Sequence, residues 1–117
     1  MTRKPTSAAD AQTMRVVIVT MDSHLAGAAA RAQRLLSQRL PGVMLTVHAA
    51  SDWAADGAAL ARCTADIASA DIVVAAMLFM EEHFKPVLSA LQARRDACDA
   101  MVCIMSAAEV MRLTRIG

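Results

Sequence analysis

Residues 15–27 read RVVIVTMDSHLAG. Val16, Val17, Ile18 and Val19 form an unbroken β-branched run with no polar alternation. A strand of that kind is buried on both faces, as in the middle of a parallel sheet. Thr20 closes it, the polar turn Asp22-Ser23-His24 follows, and an alanine-rich helical pattern begins at once. Strand, short polar turn and helix form the repeating unit of doubly wound sheets, whose ligands gather where strands end and helices start. Asp22 to His24 is therefore the first place to look for a site.

The first helix is expected to run to about Leu40. Leu25, Ala29, Ala32, Leu36 and Leu40 fall on one face, while Arg31, Arg34 and Gln38 lie away from it. Asp22 or Ser23 caps its start, and Pro41-Gly42 stops it. Residues 43–48 read as a second strand, followed by a loop that contains Trp53. Asp56 caps a second helix to about Ser69, with Leu60, Cys63, Thr64 and Ile67 inward. Residues 71–76 (DIVVAA) are a third unalternated strand. A third helix starts near Met80 or Glu81 and runs to about Arg94, with Glu81 and Glu82 complementing its dipole. Its apolar face is Phe84, Val87, Leu88 and Leu91; Pro86 kinks it unless it falls within the first turn or so. Residues 100–105 (AMVCIM) make a fourth strand. Ser106 and Glu109 match a capping box for a last helix to about Ile116, which Gly117 terminates.

The order βαβαβαβα, with helix-length crossovers, predicts parallel strands joined by right-handed connections. The expected fold class is α/β: a small doubly wound (flavodoxin-like or Rossmann-like) four-stranded parallel sheet with helices on both faces. Its expected strand order is 2-1-3-4, with the most apolar strands, one and three, central. Residues 1–13 read as a flexible leader and residues 14–117 as a single α/β domain.

Composition narrows the function classes. The chain has 117 residues, 56% hydrophobic and 20% charged, which supports a core rather than disorder. Aromatics make up only 3%, with no Tyr, and nine Met and many Ala fill the space instead. A net charge of +1 leaves no footprint for nucleic acid or an anionic membrane surface. No apolar run reaches the roughly 18–20 residues of a membrane span. The polar N-terminal stretch lacks a secretory centre. A cytoplasmic protein is expected, and the odd count of cysteines (Cys63, Cys98, Cys103) fits reduced thiols that pack as small side chains.

In this topology His24, His48 and His83 all fall at or just beyond strand C-termini. Asp22, Met77, Glu81, Glu82 and Ser106 share that edge. Imidazoles and carboxylates gathered there could bind a metal or move protons. The plainer alternative makes Asp22, Ser23 and Ser106 caps, Glu81 and Glu82 dipole partners, and His48 a solvated edge residue. The ligand-binding candidates are Asp22, His24, Glu81 and His83; no catalytic residue is assigned, and a metal role stays open. Familiar phosphate, dinucleotide and nucleophile motifs are missing: Gly27 stands alone, and there is no GxGxxG, GxxxxGK[ST] or GxSxG. A receiver-type phosphorylation site lacks its second acid beside Asp22 and a lysine after Lys85. The arginines read as solvated helix faces, with Arg112 and Arg115 as a weaker candidate for pairing with a further domain. Met77, Leu78, Phe79 and Met80 form an apolar exit from the third strand, suited to core, a flat apolar ligand or a partner.

Three strings carry a family resemblance: VVIVTMDSHLAGA, ADIVVAAMLFMEEH and CDAMVCIMSAAEVMRLTRIG. In order and spacing they resemble the N-terminal domain of the large H subunit of magnesium chelatase, in the Met- and Ala-rich style of photosynthetic bacteria. The resemblance covers nearly all of the chain from Met14 onward, and SAAEVMRLTRIG is its most specific piece. It implies a role in (bacterio)chlorophyll synthesis, in which the H subunit binds protoporphyrin IX and ATPase subunits drive Mg²⁺ insertion. That chemistry removes two pyrrole protons and strips water from a strongly hydrated cation. Protoporphyrin IX, Mg²⁺ and ATP, the ATPase subunits and the remainder of the H subunit are thus implied for the whole enzyme, with no cofactor in this chain. H subunits are far longer than 117 residues. The expectation is an N-terminal domain or truncated form, structural or docking in role and inactive alone. The alternatives are a free-standing tetrapyrrole- or small-molecule-binding module and a ligand-free interaction domain.

Overall fold

The computed structural model describes residues 13–116. The expected leader (apart from Thr13) and Gly117 as a helix terminator lie outside the described residues. β1 (Met14–Thr20), β2 (Val43–Ala49), β3 (Ile72–Ala76) and β4 (Ala100–Ile104) alternate with α1 (Ala26–Arg39), α2 (Gly57–Ser69) and α3 (Glu81–Arg95). A four-residue helix α4 (Ala108–Met111) and a two-residue strand β5 (Arg115–Ile116) follow β4. The sheet order is β2-β1-β3-β4-β5, and the first four strands are parallel. The α/β class and the 2-1-3-4 order hold.

The fifth strand is a correction. The last helix stops at Met111 instead of reaching Ile116, and Arg115–Ile116 runs antiparallel to β4. The cause is β4's outer edge, whose backbone groups need partners. Thr114 Oγ1 accepts from Cys103 N and donates to Cys103 O, both at 3.0 Å, and the two-residue ladder continues the pairing. The expected capping box is also absent. Ala107 is the N-cap and makes no side-chain cap bond, while the Ser106 hydroxyl is engaged elsewhere.

Burial differs between the sheet's two faces. Val17, Val19, Val73, Ala75, Met101 and Cys103 are buried under α2 and α3, which supply Cys63, Ile67, Phe84, Val87 and Leu91. On the other face Val16, Ile18, Ile72, Val74 and Val102 are only half-buried. The expectation of burial on both faces holds for one, because α1 is the one helix there among the described residues. α1 buries no residue completely. Leu40, expected on its inner face, is 56% exposed because the helix ends at Arg39 and Leu40 turns away as its C-cap. Gln33 fastens α1 to the sheet's outer edge: its Nε2 donates to Val43 O, and its Oε1 accepts from Leu45 N. That satisfies two backbone groups of an edge strand that would otherwise be open.

Pro86 sits inside α3 and is exposed, and the helix runs on to Arg95. Several arginines do more than face water. Arg94 Nε donates to Ala70 O and Arg95 Nε to Leu113 O, while Arg115 reaches Cys98 O and Asp96. They tie chain turns to the sheet through carbonyls that strand pairing leaves open.

Candidate functional site

The C-terminal edge of the sheet is assembled from four strand exits. β1 leaves through Asp22, whose extended backbone lets Oδ1 accept from His24 N at 2.9 Å and start a single 3-10 turn. β2 leaves through another 3-10 turn (Ala50–Asp52), and Ser51 N donates to Met21 O at 2.8 Å, tying the two exits together. Trp53 packs down into the core behind that turn. β3 and β4 each leave through a methionine in the left-handed region: Met77 at φ 60° and Met105 at φ 45°. Each placement costs about 1–2 kcal/mol for a residue with a Cβ.

A clamp holds those two strained exits. Leu78 N donates to Ser106 Oγ at 3.0 Å, Ser106 Oγ donates to Ile104 O at 2.9 Å, and Ala107 N donates to Leu78 O at 3.0 Å. Leu78 and Ser106 are both buried. Phe79 and Met80, immediately after, are 56% and 51% exposed, so of the apolar exit only Leu78 is core, Met77 is half-buried and the last two residues are surface.

One cleft of about 400 Å³ opens on this edge. Ser51, Trp53 and Leu60 form one side, and Glu82, His83 and Pro86 the other. His83 Nδ1 is buried without a hydrogen-bond partner, as is Thr20 Oγ1 at the end of β1. A second hollow of about 140 Å³ lies between Arg15, Met44, Thr46 and Asp66, away from this edge.

Of the four ligand-binding candidates His83 alone lines the cleft, beside Glu82, which the sequence also placed at this edge. Glu81 points outward and pairs with Lys85 at 3.4 Å across one helical turn. Asp22 serves as a cap, and His24 is exposed beyond it. His48, expected to be solvated, is half-buried with Nε2 2.7 Å from Asp66 Oδ2 on α2. The three histidines do not share a site: among the described residues no group of three His, Cys, Asp or Glu side chains could hold a metal ion. Burial, reinforced by Asp66, pushes the Cys63 thiol up to about 12; burial also lifts Cys103 to about 11 against the opposing bond from Thr114. Protonated thiols are poor metal ligands and nucleophiles. Sequence reasoning passed over Ser51, Trp53 and Pro86 as lining residues. The available signal was a lone Trp just after a strand exit, on the edge where such folds bind ligands.

A family model described as a domain of unknown function, DUF3479, matches residues 15–117. The chain belongs to that family. It is 45% identical over 102 residues to the magnesium-chelatase H subunit of Cereibacter sphaeroides, covering 87% of this chain and 8% of that protein. It is 42% identical over 102 residues to the corresponding H subunit of Rhodobacter capsulatus, covering 87% and 9%. The chloroplastic magnesium-chelatase subunit ChlH of Oryza sativa subsp. japonica is 38% identical over 53 residues, which is 45% of this chain and 4% of that one. The similarity to magnesium-chelatase H subunits therefore stands, and this DUF3479 chain spans under a tenth of the length of the two bacterial relatives. No helix among the described residues is long and apolar enough to cross a membrane.

Proposed function

We propose that this chain is the N-terminal α/β domain, or a truncated form, of a magnesium-chelatase H-type subunit in (bacterio)chlorophyll synthesis. The observation that carries this is the 42–45% identity to two H subunits over 87% of the chain. In the complete enzyme protoporphyrin IX and Mg²⁺ are the substrates, and ATPase partners supply the driving force in the cytoplasm. The domain's own part is structural or docking. It carries no phosphate-cradling loop, and the cleft of about 400 Å³ offers a single histidine and a single carboxylate. Removing two pyrrole protons and dehydrating Mg²⁺ calls for more donors than that.

The test is a chimera. The matching segment of the Cereibacter sphaeroides H subunit is replaced by residues 15–117 of this chain, and Mg²⁺ insertion is assayed with the ATPase subunits. Retained insertion by the chimera, with none by the 117-residue chain plus the same subunits, is expected. Insertion by the short chain, or a folded chimera without activity, refutes the proposal.

A second reading has one observation in its favour: a cleft of about 400 Å³ lined by His83, whose buried Nδ1 has no hydrogen-bond partner. That size suits a small ligand. Titration of the chain with protoporphyrin checks it. A saturable absorbance change lost in His83→Ala supports a binding module, and a flat titration removes it.

A further inference from the structure

On the sheet face opposite α2 and α3, the part over β3 to β5 is apolar and uncovered among the described residues. Three rows cross the face in register, Val16–Ile72–Ala100, Ile18–Val74–Val102 and Thr20–Ala76–Ile104, and in the last Thr20 and Ala76 are buried while Ile104 is exposed. The antiparallel ladder adds Ile116 opposite Ala100. α1 covers the β1–β2 side, where Gln33 holds it to the outer edge. Leu35, two residues on, lies about 200° around the helix from Gln33. It therefore flanks the uncovered side, and it is 60% exposed. Beyond it Ile72, Val74 and Val102 are half-buried, and Ile104 and Ile116 are 47% and 74% exposed. Sheet faces that meet water carry polar residues, and this strip carries none. At about 4.8 Å per strand, β3 to β5 leave a strip roughly 14 Å wide. One helix with its side chains, about 10–12 Å across, fills that width.

We infer that the strip floored by Ile72, Val74, Val102, Ile104 and Ile116, with Leu35 as its wall, seats an amphipathic helix from the remainder of an H-type subunit. The inference rests on the proposed function and names the docking surface it needs. The helix presents an uncharged stripe of aliphatic residues at i, i+3, i+4 and i+7, since the floor offers no partner for a charge. The source follows from three observations. The two bacterial relatives are more than ten times longer than the matching segment, so chains of this kind carry ample further structure. Ile116 itself forms the rim of the strip, so residues that follow it in a longer chain start beside the groove. Residues 1–12, MTRKPTSAADAQ, have no aliphatic stripe to offer. A second copy fits poorly. α1 stands about 10 Å above half of this face, as a packed helix must. Its outer side would bring Arg31 and Arg34 against the apolar floor.

Thiol labelling tests this, because Cys63, Cys98 and Cys103 are buried and give little background. Ile104→Cys is placed in the 117-residue chain and in the chimera described above, with exposed Lys85→Cys as control. Maleimide labelling of Ile104→Cys is expected to be at least tenfold slower in the chimera than in the short chain, with the control unchanged. Equal labelling in a chimera that inserts Mg²⁺ overturns the helix seat and leaves the proposed function standing. Slowed labelling in a folded chimera without insertion does the reverse. Protection that grows with concentration in the short chain, with a doubled sedimentation mass, makes a second copy the occupant and overturns the inference. Should Ile104→Cys not fold, Ile116→Cys reads the same strip.

Discussion

Ser106→Ala separates two roles for one hydroxyl. In a capping box, Ser106 and Glu109 act together at the start of α4, and loss of either costs a similar amount, about 1 kcal/mol. In the structure Ser106 Oγ instead accepts from the buried Leu78 N and donates to Ile104 O, while Glu109 is exposed. Removing the hydroxyl leaves a buried N–H without a partner, a loss of about 1–3 kcal/mol. It also releases one tie between the exits that hold Met77 and Met105 left-handed. We expect Ser106→Ala to lower stability by about 2 kcal/mol, a fall of roughly 8 °C in Tm for a chain of this size. Glu109→Ala should stay within about 0.5 kcal/mol, as surface substitutions do. Urea unfolding of the 117-residue chain followed by Trp53 fluorescence measures both. Equal losses in the two variants, or a negligible loss in Ser106→Ala, refute the clamp.

Gln33→Ala opens Val43 O and Leu45 N on the β2 edge; a loss of about 1–2 kcal/mol is expected, with concentration-dependent association by sedimentation. Unchanged stability and a clean monomer would show that the edge needs no cover. Asp66→Asn weakens the half-buried pair with His48, and a double-mutant cycle with His48→Ala should give a coupling of about 0.5–1 kcal/mol, against zero if the contact is incidental. The folded state holds Cys63 and Cys103 protonated to about 12 and 11, against an ordinary 9.0. Their contribution is complete below about pH 9 and is lost above it, because the unfolded chain releases protons that the folded chain keeps. The slope is up to about 1.4 kcal/mol per pH unit for each thiol. No Tyr confuses the alkaline titration. Urea midpoints that stay level between about pH 9 and 10 would contradict the burial of these thiols, and Cys63→Ala should flatten the fall.

The strand–turn–helix period was legible in the sequence because β-branched runs and helical spacing are local signals. Residues 16–19 and 72–75 lie in β1 and β3 and Asp56 caps α2 as its position predicts, whereas Asp22 caps the 3-10 turn that leads into α1, whose own N-cap is Leu25 without a side-chain bond. What escaped was decided by distant partners. Ser106 has the spacing of a cap, but the buried Leu78 N, 28 residues away, takes its hydroxyl. Thr114 looks like part of a helix until β4's open edge draws it into the sheet. The candidate site shows the same division. The sheet edge could be named from topology, and His83 with it. Which neighbours join it depends on how the β2 exit folds Trp53 against α3, and no periodicity records that.

The mismatch between composition and burial bears most directly on function. Val16, Ile18, Ile72, Val74 and Val102 are residues that sequences place where two layers meet, yet among the described residues no second layer covers β3 and β4 on this face. Covering the strip would bury most of Leu35, Ile104 and Ile116, which are 60%, 47% and 74% exposed, and the smaller exposed parts of Ile72, Val74 and Val102, a gain on the order of 5 kcal/mol. That rivals the whole net stability of many domains, about 5–15 kcal/mol. A surface with that much to gain governs how the domain behaves alone more strongly than the cleft at His83 does. The isolated chain should therefore be marginal, and stability recovered on joining a longer H-type chain should exceed any recovered with a small ligand. A ligand at a hundred times its Kd adds only about 2.7 kcal/mol. Comparing the unfolding midpoint of the β3–β4 region in the short chain, with and without protoporphyrin, against the chimera puts the two on one scale. A larger gain from the ligand would move the centre of function from the open face to the cleft.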